Sequence, residues 1–130
     1  MRLCRVTRLT NLRVASKPTP MLIFKIFRAT EWTDLQAKGT TKGSPIDLAD
    51  GYVHFSGADT VVKTAALYFT DMLDLMLIAV EADSLAGLVW ETSRGGASFP
   101  HLYRELTMGD VIWAKPLPIA YGTHQFPELS

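Results

Sequence analysis

Cysteine is nearly absent from this chain: of its 130 residues, only Cys4 is one. No disulfide can form within the chain, which points to a reducing, cytoplasmic setting. No apolar run approaches the roughly 20 residues needed to span a bilayer. The first residues also lack the roughly 7–15-residue apolar core of a secretory signal. Net charge is missing too, since thirteen basic and thirteen acidic residues cancel. Neither the phosphate-cradling G-x-x-x-x-G-K-[ST] nor G-x-G-x-x-G occurs, and there is no G-x-S-x-G nucleophile elbow. The three histidines show no H-x-H or H-x-x-x-H spacing, so no metal is expected.

What is present is unevenly spread. Residues 1–20 hold Arg2, Arg5, Arg8, Arg13 and Lys17 and no acid, whereas the rest is net acidic. The opening reads as a disordered basic leader ending at Lys17-Pro18-Thr19-Pro20, because it offers little apolar surface to bury. A single domain is expected over 21–118, followed by an unpatterned tail over 119–130. An acidic domain argues against a nucleic-acid partner, which needs a clustered cationic surface. Nothing suggests a membrane partner.

The segment Met21–Phe27 is compactly apolar and predicts a buried first strand. Thr30 is placed to cap a helix with Glu31 and Asp34 in its first turn, ending at Gly39. Thr40–Asp50 reads as a loop. After Gly57, a helix beginning at Ala58 or Asp59 would carry Val62, Ala65, Ala66 and Phe69 as its apolar stripe. Its start would favour an anionic ligand group near Ser56. Leu75–Val80 predicts a central strand, Val89–Glu91 and Val111–Trp113 shorter ones, and Thr92–Ser98 a flexible loop. The fold class is α+β: a small curved or split sheet with one or two packed helices.

Two stretches carry candidate chemistry. In Gly51-Tyr52-Val53-His54-Phe55-Ser56, strand alternation puts Val53 and Phe55 on one face and Tyr52, His54 and Ser56 on the other. In Phe99–Leu106, the same alternation groups His101, Tyr103 and Glu105 opposite Leu102 and Leu106. An imidazole and a hydroxyl two residues apart can address one ligand, such as a ribose. The alternative is a histidine satisfied by backbone, with Ser56 capping a helix. His101, Tyr103 and Glu105 supply a base, a ring and a carboxylate, or else an ordinary exposed edge. Glu91 beside Trp90 is a second candidate carboxylate or a surface residue. Arg94-Gly95-Gly96 could contact an anion, or simply turn the chain.

The stretches "LIFKI", "DLADGYVHFSGADTVVKTAALYF", "LIAVEAD" and "WETSRGGASFPHLYREL" together resemble a small bacterial family catalogued as domain of unknown function 952, from about Met21 to Trp113. The resemblance implies an architecture similar to the ADP-ribosylation fold, the NAD-binding split sheet of ADP-ribosyltransferases and RNA 2′-phosphotransferases. It implies a cleft lined by Gly51–Ser56, with His54 and Ser56 on a ribose and Tyr103 or Trp90 as the ring. Glu91 or Glu105 would stabilise charge developing on the sugar. The first strand departs from the transferase pattern, with Lys25 and Arg28 in place of a histidine or arginine. The expected partner is NAD or a related nucleotide. The alternative is a non-enzymatic sensor or interaction module for a small anionic metabolite or peptide. RNA 2′-phosphotransfer fits poorly, because the acidic domain lacks a basic track.

Overall fold

The computed structural model describes residues 21–93 and 95–130, so the basic leader with Cys4, and Arg94, lie outside the described residues. Strand β1 (Leu22–Arg28) pairs antiparallel with β4 (Leu75–Glu81) over seven consecutive residue pairs, and β4 pairs with β8 (Val111–Pro116). β4 is therefore the middle strand, as its unbroken apolar run requires. A second antiparallel sheet has the order β3 (Val53–His54), β6 (Ser98–Leu102), β5 (Leu88–Thr92). The two sheets meet at one seam. Phe24 N–H donates to the Ser56 carbonyl at 2.7 Å, and Ser56 N–H donates to the Phe24 carbonyl at 2.8 Å. Two short ladders complete the architecture, β2 (Thr40–Thr41) with β7 (Leu106–Thr107) and β9 (Ile119–Ala120) with β10 (Thr123–His124).

Alternation along β1 divides the core. Ile23 and Phe27 face the second sheet and pack with Leu35, Val53, Phe55, Ile78 and Leu102. Phe24 and Ile26 face the opposite layer with Val61, Ala65, Leu77 and Leu117. Lys25 shares the face of Ile23 and Phe27, and is buried despite its charge. Among the described residues the result is α+β, built from several small antiparallel sheets and three α-helices. No helix among the described residues is long and apolar enough to cross a membrane.

Four local expectations need correction. Helix α1 (Ala29–Lys38) starts directly after β1 instead of at a Thr30 cap. Glu31 closes its first turn by accepting from Arg28 N–H at 2.8 Å. Thr40–Asp50 is no plain loop, since it holds β2 and helix α2 (Pro45–Asp50). Helix α3 (Val61–Tyr68) buries Val61 and Ala65, leaving Val62 exposed; the buried face is shifted by one residue, as set by packing against Phe24, Ile26 and Leu77. The tail is ordered by the β9–β10 hairpin and by a 2.9 Å contact between His124 Nε2 and the Met72 carbonyl.

Candidate functional site

The second sheet brings the two histidines together. His54 on β3 and His101 on β6 are directly opposed cross-strand partners, so their side chains leave the same face. Their ring centroids lie 5.2 Å apart. Glu91, on β5, shares that face because it is paired with Phe99, two residues before His101. Tyr52 and Tyr103 extend the face beyond the strand ends. Tyr52 stacks on His101 at 4.3 Å and lies 4.6 Å from His54 and 5.1 Å from Tyr103. The opposite face carries Val53 and Leu102 into the core.

Each imidazole is held by a carboxylate through Nδ1. His101 Nδ1 lies 2.6 Å from Glu91 Oε1, and the Tyr103 hydroxyl donates to the same oxygen at 2.7 Å. These two donors, Tyr103 first and then His101, hold the Glu91 carboxyl below its ordinary pKa against an opposing desolvation. The same bond pushes the Tyr103 phenol up to about 12, because it must give up a proton shared with a carboxylate. Desolvation, then the Asp50 and Glu91 carboxylates, raise the Tyr52 phenol.

His54 Nδ1 lies 2.5 Å from Asp47 Oδ1, and His54 Nε2 lies 3.0 Å from Asp50 Oδ2. An ionised carboxylate only accepts, so Nδ1 is the donor in both rings. Asp47 is 1% exposed. Its Oδ1 also accepts from His54 N–H at 3.1 Å, and its Oδ2 from Ser44 N–H at 2.8 Å and Lys25 Nζ at 2.9 Å. Burial would raise the Asp47 pKa, but the His54 hydrogen bond and the Lys25 charge outweigh it and hold the carboxyl far below its usual range. Lys25 donates also to the His54 carbonyl at 2.9 Å. Burial pulls the Lys25 ammonium down, partly offset by Asp47.

This face floors a cleft of about 820 Å³, within the range of sites that enclose a small ligand. Pro45 and Ile46 of α2, Thr64 and Tyr68 of α3 with Phe69 just after it, and Arg28 and Glu31 line it. Ser56 also lines it, with its hydroxyl 3.3 Å from that of Thr64. Arg28 is paired with Glu31 at 3.1 Å.

The cleft therefore gathers Tyr52, His54, Ser56, Glu91, His101 and Tyr103 from the expected set. The remaining candidates sit elsewhere. Trp90 alternates with Glu91 onto the other sheet face, opposite Pro100. The strand ends at Leu102, so Glu105 leaves the cleft for an adjoining hollow of about 260 Å³, which it lines with Lys42 and Arg104 and which shares Asp47, Tyr52 and Tyr103 with the cleft. Gly95 and Gly96 form the β5–β6 turn, where Gly96 takes φ +88° and its N–H donates to the Ser93 carbonyl at 3.0 Å. Among the described residues, no group of three or more histidine, cysteine or acidic side chains is arranged to hold a metal.

Asp47 is the site residue that sequence reasoning passed over. Its signal was Ser44-Pro45-Ile46-Asp47, a capping pattern with proline at the first helical position. That pattern starts α2 and aims Asp47 back toward the His54 strand.

The family profile described as "Protein of unknown function (DUF952)" matches residues 26–114, more than half of the chain. The crystal structure of protein CC0527 from Caulobacter crescentus, a structural genomics target, is 44% identical, with a TM-score of 0.77 over 80% of this chain and 93% of that one. The solution NMR structure of CC0527 is 43% identical, with a TM-score of 0.72 over 79% and 90%. No curated protein matches the chain.

Proposed function

This chain belongs to the DUF952 family of proteins of unknown function, and from that premise we propose that its cleft binds NAD or a related nucleotide, in a split-sheet fold of the ADP-ribosylation kind. One observation carries the reading: two histidines opposed across strands, each fixed through Nδ1 by a carboxylate, on the floor of an 820 Å³ cleft that also holds two tyrosine rings. Fixed imidazoles and Ser56 suit the hydroxyls of a ribose. Tyrosine rings suit a planar base. Glu91, kept ionised by Tyr103 and His101, suits positive charge developing on a sugar as a nicotinamide–ribose bond breaks.

Isothermal calorimetry and ligand-observed NMR with NAD, ADP-ribose and nucleoside phosphates test this. Saturable binding that His54→Ala weakens at least tenfold is expected. No binding by any of them at millimolar concentration refutes the reading.

A non-enzymatic module that binds without turnover is favoured by a different observation. His54 has a carboxylate at each ring nitrogen, whereas among the described residues His101 is held by one at Nδ1 alone. Release of free nicotinamide separates the two readings: turnover abolished by His54→Ala identifies an enzyme, and binding without product identifies a module.

A further inference from the structure

A buried lysine in an apolar strand needs a reason. Position 25 lies between Ile23 and Phe27 on one face of β1, where a nonpolar side chain would pack without desolvating a charge. Lys25 instead directs its ammonium to Asp47 Oδ2 and the His54 carbonyl, both at 2.9 Å. Asp47 in turn spends Oδ1 on His54 alone, taking both its main-chain N–H and its ring Nδ1. Lys25 from the first sheet and Asp47 from α2 thus converge on the main chain and ring of one histidine. Asp50 stands 3.0 Å from the far nitrogen of that ring, with a side chain 42% exposed, so an oxygen already occupies the outward position.

We propose that Lys25 and Asp47 are positioning residues for His54. Lys25 anchors one carboxylate oxygen, the other oxygen fixes the hydrogen on Nδ1, and Nε2 is thereby aimed at an acceptor oxygen, Asp50 Oδ2 in this structure and an oxygen of the ligand in the complex. This rests on the reading that His54 contacts a ligand, but the device itself is observable without one.

The experiment is proton–nitrogen correlation NMR of the full chain with ¹⁵N-labelled histidine, in the wild type, in Lys25→Met, and in Lys25→Met with Asp47→Asn. The double variant removes both buried charges together, so its fold survives where a single variant could fail. The wild type is expected to show a far-downfield His54 Hδ1 signal that exchanges slowly with water. The double variant should retain its circular dichroism yet lose that signal. Binding of NAD or ADP-ribose should fall at least tenfold in it. A folded double variant with an unchanged His54 signal overturns the proposal and leaves the pair a purely structural one. If the signal vanishes but no nucleotide binds even the wild type, the positioning device stands and the nucleotide reading falls.

Discussion

Replacing Lys25 by methionine should be among the most damaging single changes available in this domain. The ammonium is 7% exposed and Asp47 1% exposed. Removing one partner strands a carboxylate in the core, at a cost of about 3–5 kcal/mol. Domain stabilities run to about 5–15 kcal/mol, so the single variant would sit near its unfolding threshold. With an m-value of about 1.5 kcal/mol per molar, the urea midpoint should drop by about 2–3 M. Adding Asp47→Asn should recover at least half of the loss, because no uncompensated charge remains. Recovery should stop short by about 1–2 kcal/mol, since Ser44 N–H and the His54 bonds lose part of their acceptor. Trp113, whose ring lies 5.8 Å from that of Phe24, supplies a fluorescence signal for the transition. The acid limb gives a second readout. The Asp47 carboxyl titrates lower in the folded chain than its unfolded value of about 3.9. Its contribution is complete above about pH 4 and is lost as pH falls toward the folded value, by up to about 1.4 kcal/mol per pH unit. Asp47→Asn should flatten that slope. A Lys25→Met midpoint within 0.5 M of wild type, or a double variant no better than the single one, would refute the reasoning.

Glu91→Gln removes the ionised acceptor at Tyr103, so the phenol should titrate nearer its ordinary value of about 10 than 12, as read by ultraviolet absorbance. Gly51→Ala forces a side chain into φ +86°, which should cost about 1–2 kcal/mol in urea unfolding even though the space beside it is open. His101→Ala and Glu91→Gln should each weaken nucleotide binding at least tenfold by calorimetry, whereas Glu105→Gln, which does not line the cleft, should change it less than twofold.

Much of the site was legible because strands alternate. Period two alone placed Tyr52 with His54 and His101 with Tyr103, and it placed Val53 and Leu102 in the core. Alternation says nothing about which strands become neighbours, so the register bringing His54 opposite His101 lay beyond local pattern. Glu105 was misgrouped because the strand stops at Leu102, a boundary that depends on Arg104 turning to Ala86 and Asp110. The α3 stripe was misread by one residue because Val61 and Val62 are equally apolar, and only packing against Phe24, Ile26 and Leu77 selects Val61. Lys25 carried a visible charge within an apolar strand, but its partner lies 22 residues on, across a seam between sheets.

The ladder between β1 and β4 runs unbroken from Leu22↔Glu81 to Arg28↔Leu75. Were it to slide by a single step, Lys25 would swing into the opposite layer, and Phe24 or Ile26 would arrive beside Asp47. A greasy strand that could tolerate several alignments is thereby made intolerant of all but one, since every wrong alignment leaves an ion without its counterion. The ammonium thus favours a single register of β1 on β4.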